Sequence, residues 1–275
     1  MLTATLLALG SAVVHAAWNL LIKSSDDREL AGWGVFGAGG LLGALGLLVV
    51  GGPGWEALPY LVGTGVVHVA YAEALVAAYQ HGDFSSAYPI ARGGGALLAT
   101  LGAFVFLDDH LPPAACFAIG IAATGLFLLS SGGTGRATGL AGLTAVCIAS
   151  YTLIDSAGSR AVDSGVSYGL AACAAAGLGV TLANLLRPKR RARLPQLLAG
   201  WRRYVIGGAA TLTAYTMVLV AVRLAPVGYV TMLRESSVVI GPLLGWLVLH
   251  EPLGRSRVAP AGVVLTGLVL LVLTA

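Results

Sequence analysis

The chain has 275 residues, of which 57% are hydrophobic and 10% charged, with a formal net charge of +4. A water-soluble domain carries about 25% charged residues, so this chain has too few to coat a water-facing surface. Most of the positive excess lies in one short connection, which does not point to nucleic acid. The composition is that of a polytopic membrane protein.

Apolar segments of about 20 residues, the length that crosses a bilayer as a helix, follow one another along the chain. They run over 2–22, 30–50, 57–79, 84–107, 112–130, 138–157, 165–186, 204–222, 226–249 and 256–274. In the first, His15, Trp18, Asn19 and Ile22 share one helix face. Polar side chains on one stripe are not left against lipid, so they face the bundle, either as substrate contacts or as bonds to neighbouring helices. No basic region precedes Leu2, so no cleavable signal peptide is expected. The third segment carries His68 and Tyr71 on one face and Glu73 in its last third. Glu73 is expected to pair with Arg92, or to titrate as a proton carrier.

The fourth segment opens with Ser86-Ala87-Tyr88-Pro89-Ile90-Ala91-Arg92. Arg92 lies about 12 Å below the entry point at ~1.5 Å per residue. A charge at that depth costs at least ~2.5 kcal/mol unless a partner or water meets it. Tyr88 precedes Arg92 by one turn, which makes it the aromatic candidate for a cavity wall. Asp108-Asp109-His110 reads as a structural corner and not as a metal cluster. Cys116, Cys147 and Cys173 have no CxxC spacing and read as small buried residues. Between the seventh and eighth segments, Arg187 to Arg203 is a longer basic connection suited to anionic headgroups. The ninth segment holds Arg234 beside Glu235, whose side chains diverge by about 100° on a helix. Tyr151, Tyr215 and Tyr229 are weaker aromatic candidates.

Arg92 and Arg234 are separated by 142 residues, and the offset continues without a gap. It relates Leu101 to Leu243, Leu107 to Leu249, Asp109 to Glu251, Gly120 to Gly262, Thr124 to Thr266 and Gly125 to Gly267. The chain is a duplication, with halves at 1–135 and 136–275. Five helices per half force the halves into opposite orientations, giving an all-α membrane protein of ten helices as two inverted five-helix repeats around a central cavity. Twelve cations lie in the connections after the odd-numbered helices, against Arg160 and Arg223 in the others. That bias places the twelve in the cytoplasm and both termini outside.

With those residues in view, the chain resembles the drug/metabolite transporter superfamily, and within it the EamA-type transporters. The resemblance rests on Gly82-Asp83-Phe84-Ser85-Ser86-Ala87-Tyr88-Pro89-Ile90-Ala91-Arg92, on Ala225-Pro226-Val227-Gly228 with Arg234-Glu235-Ser236, and on His250-Glu251-Pro252-Leu253. Helix 1, with His15-Ala16-Ala17-Trp18-Asn19 and Lys23, is similar to the first helix of many members. The resemblance implies small-molecule transport, often export of amino acids or other metabolites, at a bacterial plasma membrane. No cofactor or metal is expected, the partners are a small-molecule substrate and membrane lipid, and self-association stays open.

Two guanidinium groups suit an anionic or zwitterionic substrate, because the arginine fork holds a carboxylate or phosphate with paired hydrogen bonds. The sequence has no GxxxxGK[ST] motif for nucleotide-driven transport, so a secondary transporter working by alternating access is the leading expectation. The alternative is a membrane-embedded enzyme acting on a lipid-linked substrate, for which no HExxH or comparable grouping occurs.

Overall fold

A computed structural model describes residues 1–23, 27–81, 84–129, 135–240 and 255–275, without the side chains of 18–23, 28, 79, 84–86, 88 and 255–257. The described residues are helical with no strand. The helices are α1 (Leu2–Lys23), α2 (Arg28–Val50), α3 (Leu58–His81), α4 (Phe84–Phe106), α5 (Pro113–Leu128) and α6 (Gly135–Ala161). There follow α7 (Gly165–Leu185), the short α8 (Pro188–Arg191) and α9 (Leu194–Ala199), α10 (Trp201–Ala221), α11 (Val227–Arg234) and α12 (Arg255–Thr274).

The helix ends follow local chemistry. Asp27 accepts the Leu30 N–H at 3.0 Å to cap α2, and Ser164 accepts the Ser167 N–H at 3.2 Å to cap α7. Each satisfies an amide that has no partner within its own helix. Gly51 leaves α2 at φ 87°, and Asp108 turns the corner after α4 at φ 54°, a region that Asp tolerates better than most residues.

Six described spans are long and apolar enough to cross a membrane: Glu29–Val50, Trp55–Ala78, Pro89–Phe106, Gly135–Ala161, Gly165–Leu185 and Trp201–Ala221. Leu2–Ala17, Pro113–Leu128 and Val258–Thr274 are shorter apolar helices. The expected single helix over 226–249 is not continuous. It stops at Arg234, turns through Glu235 and Ser236, and resumes at 237–240; the remainder lies outside the described residues. Across the break, Glu235, Ser236 and Val238 donate their N–H groups three residues back, to Met232, Leu233 and Glu235. The physical reason is the run Arg234-Glu235-Ser236-Ser237, whose polar side chains interrupt the apolar helix. Serine also offers the backbone alternatives to helical pairing. The longer basic connection contains two short helices, α8 and α9.

The packing reverses the order of a soluble protein. Alanines fill much of the interior, among them Ala4, Ala8, Ala57, Ala99, Ala115 and Ala122, all fully buried. Large apolar side chains such as Leu48, Val49, Phe106 and Leu273 point outward. Lipid provides no hydrophobic drive between helices, so small residues that let backbones approach do the packing. A Cβ on Gly177 would lie 2.5 Å from the Phe36 carbonyl oxygen and 2.6 Å from Gly40 Cα. Side-chain-free contact is therefore what joins α2 to α7. Of the three cysteines, Cys147 and Cys173 are buried as expected, whereas Cys116 is exposed.

Helices α1–α5 pack mainly on α6–α12. α1 lies on α10 and α11, α2 on α7 and α10, α3 on α6 and α7, α4 on α6 and α11, and α5 on α12. This places α4, which carries Arg92, against both α6 with Asp155 and α11 with Arg234.

Candidate functional site

Arg92 lies on α4 and Glu235 in the turn after α11, and the two side chains meet head on. Nη2 of Arg92 donates to Oε1 at 2.6 Å and Nε donates to Oε2 at 3.3 Å. Both residues are buried, 7% and 3% exposed. The forked geometry is the strong form of this contact. Sequence reasoning raised Glu73 as the partner of Arg92. The structure pairs Arg92 with Glu235 instead, since α4 and α11 are in contact and Glu73 lies elsewhere.

Arg234 is the other buried arginine, also 7% exposed. Its Nε is enclosed and has no hydrogen-bond partner among the described residues, and no ion pair there includes it. Two hydroxyls close by in sequence, Ser236 Oγ and Ser237 Oγ, are likewise enclosed and unpartnered among the described residues. Residues three apart eclipse in a turn with three-residue bonding, so Ser237 falls on the side of Arg234. The charges of Arg92 and Glu235 cancel, which leaves one positive charge at the break. His15 of α1 lies within electrostatic reach of both arginines.

A wall of rings adjoins this group. Tyr151 of α6 shares a buried cluster with Ala91, the neighbour of Arg92, and Ile148, and lies within electrostatic reach of Arg92, Arg234 and Glu235. His68 stacks on Tyr151 with centroids 4.4 Å apart. Tyr71 meets Tyr151 edge-on at 5.6 Å, and Tyr215 of α10 meets it at 6.1 Å. Phe36 of α2 stands 6.0 Å from His68. Offset and edge-to-face rings at these separations attract one another and give a rigid apolar surface. His15, Phe36, Tyr71 and Tyr215 are only partly buried.

Behind the wall lies Asp155, fully buried on α6. Its Oδ1 accepts from Tyr168 at 2.9 Å, and its Oδ2 accepts from Thr64 at 2.8 Å and from Tyr215. Thr64 Oγ1 and the Thr64 carbonyl both stand 2.9 Å from His68 Nδ1. The threonine proton points to Asp155, so its oxygen can only accept from the histidine, which places a proton on Nδ1. Among the described residues no cation pairs with Asp155.

Of the residues singled out from sequence, Arg92, Arg234, His15, His68 and Tyr71 are brought together. The side chains of Trp18, Asn19 and Tyr88 lie outside the described set. Glu73 stands apart, about one-third exposed, accepting from Arg187 Nη1 at 2.6 Å and Arg190 Nη1 at 2.5 Å. Arg190 also meets Glu29 at 2.6 Å, and Arg193 binds Glu29 and Asp27. The basic segment is thus tied to the start of α2 and the end of α3. Partial burial pulls the Arg190 pKa down, but the Glu73 hydrogen bonds and the charges of Glu73 and Glu29 leave it raised overall. At the opposite end, Arg160 grips Asp109 with two bonds of 2.8 and 3.0 Å. The same carboxylate accepts the Val227 N–H at 2.6 Å, where α11 begins. Asp109 is therefore a helix-end anchor, and His110 turns away to the Asp108 carbonyl. Tyr229, bonded to Thr5 at 2.7 Å, joins α11 to α1.

Sequence reasoning missed Asp155 and the central place of Tyr151 and Tyr215. The sixth segment was drawn to end at 157, which put Asp155 at a membrane boundary, whereas α6 continues to Ala161. The available signal was spacing: Tyr151 and Asp155 are four apart on one helix, as Thr64 and His68 are on another.

A helical membrane bundle with enclosed charges at a helix break is the architecture of a multi-pass integral membrane protein that carries small molecules. Residues 136–273 match the EamA-like transporter family, and the chain belongs to that family. It is similar in fold to a protein of known crystal structure, at 17% identity and a TM-score of 0.72, over 99% of each chain. No curated protein is close enough to match it.

Proposed function

We propose that the protein is a secondary transporter that exports small metabolites bearing a carboxylate or other anionic group, by alternating access between its two halves. The observation that carries this reading is Arg234. A buried guanidinium that forms no ion pair among the described residues is costly, and an anionic substrate group at the break would balance its charge. Ser236 and Ser237 offer further donors, and the rings of Tyr151, His68, Tyr71 and Tyr215 suit the apolar part of an amino acid or organic acid. His15 stands where a second anionic group would gain from it.

An inverted pair of five-helix halves, 1–135 and 136–275, is supported by the exchange of packing partners. The contact of α1 with α10 has its counterpart in that of α6 with α3, and α4 on α6 has its counterpart in α11 on α1. The crossing of α5 and α12 is reciprocal: a Cβ on Gly125 would meet Val264, and a Cβ on Gly267 would meet Ala122. Both relations keep the offset of the sequence repeat. The family match begins where the second half does. Export, residence in a bacterial inner membrane and extracytoplasmic termini follow from the resemblance and the cation bias.

The test is transport by purified protein in lipid vesicles across a panel of amino acids, organic acids, phosphorylated compounds and organic cations. Movement of an anionic or zwitterionic compound, abolished or weakened by Arg234→Gln and only partly restored by Arg234→Lys, supports the reading. Movement of cations alone, or equal activity of Arg234→Gln, sinks it.

A further inference from the structure

We propose that Asp155 is the site of a coupling proton, bound and released as the protein cycles; this rests on the transport reading above. The carboxyl group is fully buried on α6 and held by hydroxyls of three other helices: Thr64 of α3, Tyr168 of α7 and Tyr215 of α10. A buried carboxylate without a cation is strongly disfavoured, and three O–H donors offset only part of that cost. The charged and neutral forms are thereby brought close in energy, which is what a reversible proton site needs.

The geometry also shows where the proton goes. A carboxylate has about four acceptor positions. Oδ2 uses two, for Thr64 and Tyr215, while Oδ1 uses one, for Tyr168. A proton delivered by hydronium adds to Oδ1 without displacing a donor: one O–H bond forms, the hydronium O–H bond breaks to leave water, and the group is neutralised. The proton's departure restores the anion. Neutralisation weakens all three hydroxyl contacts at once, because bonds to an ionised acceptor are about twice as strong as neutral ones. Protonation thus loosens α6 from α3, α7 and α10 together.

The titratable groups around it fit that role. Tyr168 and Cys173 face Asp155 from α7 and Tyr215 from α10. On α3, His68 is linked through Thr64, and Tyr60 reaches Tyr168. Tyr151 precedes Asp155 by one turn on α6 and lies within reach of Arg92 and Arg234 from α4 and α11, and of Glu235. Tyr215 is the physical link: its hydroxyl holds Asp155 and its ring belongs to the wall beside the arginines. Occupancy of the anion site and the proton state of Asp155 therefore act on the same side chain.

Infrared difference spectroscopy of the purified protein in lipid nanodiscs, stepped from alkaline to acidic pH, reads this directly. The parent is expected to gain a protonated-carboxyl band that Asp155→Asn lacks. Thr64→Val and Tyr215→Phe each remove a donor to the ionised form and should move the band's midpoint upward by about one pH unit. Identical bands in parent and Asp155→Asn overturn the proposal. If Asp155→Asn does not fold, an unmoved midpoint in both donor variants overturns it. In a second arm, vesicles containing a pH dye are offered L-glutamate, L-alanine and inorganic phosphate in turn. The compound that moves is expected to carry protons in the parent and none in Asp155→Asn. Drive by sodium in place of the pH gradient refutes the coupling. If the parent moves none of the three, the compound that moves in the wider panel replaces them; if nothing in that panel moves, the transport reading fails, and the infrared titration alone decides whether Asp155 takes up a proton.

Discussion

Two arginines that occupy equivalent places in the repeat should respond in opposite ways to the same substitution. Arg92→Gln leaves Glu235, 3% exposed, as a buried anion stripped of its forked partner. Breaking one side of such a pair costs about 3–5 kcal/mol. Arg234→Gln removes a buried cation that has no counterion among the described residues, and it leaves the Arg92–Glu235 pair in place. Its stability is expected to match or exceed the parent. Its affinity for a carboxylate should fall about ten- to more than a hundredfold, the worth of one charge-assisted bond at ~1.5–3 kcal/mol. The double variant Arg92→Gln, Glu235→Gln restores most of the lost stability, because neither charge is then left alone. Thermal unfolding followed by tryptophan fluorescence, with calorimetric binding of the vesicle-panel compound that moves, reads both quantities. If Arg234→Gln is as unstable as Arg92→Gln, or the double variant no better than Arg92→Gln, the assignment of roles is wrong.

Gly177→Ala forces a Cβ against the backbone of Phe36 and Gly40 and should lower stability by about 1–3 kcal/mol. Gly120→Ala, which meets nothing within 4 Å, should be neutral or gain about 0.5–1 kcal/mol in thermal unfolding; the reverse order contradicts the packing. Glu73→Gln frees Arg187 and Arg190, each half-exposed pair being worth about 1 kcal/mol or less. Hydrogen exchange across 187–199 should quicken, and unchanged rates would show that Glu73 does not anchor the segment. A reporter fused at Ala275 is expected to read as extracytoplasmic and one inserted between Arg187 and Arg203 as cytoplasmic; a cytoplasmic carboxyl terminus reverses the orientation.

The helices were legible because each is a long apolar run ended by Gly, Pro or a polar cap. Arg92 and Arg234 were legible because depth alone makes a charge conspicuous. Their different fates were not. Glu235 adjoins Arg234 in sequence, yet its carboxylate faces a helix 143 residues away, and only the packing of α4 on α11 decides that choice. Asp155 stayed hidden for another reason. Its three partners are uncharged hydroxyls from three helices, so no neighbouring cation and no motif marks it. Tyr151 and Tyr215 gain their place from the stacking of α3, α6 and α10, which a single helix face does not reveal.

The interruption after Arg234 divides the described part of the ninth segment. The first piece, Val227–Arg234, is about 12 Å long at ~1.5 Å per residue. Its start is pinned, because Asp109 holds both the Val227 amide and Arg160 of α6. Its other end is the turn at Glu235–Ser236, where amides bond three residues back and Arg92 holds the Glu235 carboxylate. A displacement imposed at the start of this span therefore meets the Arg92–Glu235 pair before it reaches Ser237. An anion bonded to Arg234 and to a serine hydroxyl beyond the turn would bridge the turn and stiffen it. Cargo would then serve as a mechanical part, present only while it is carried.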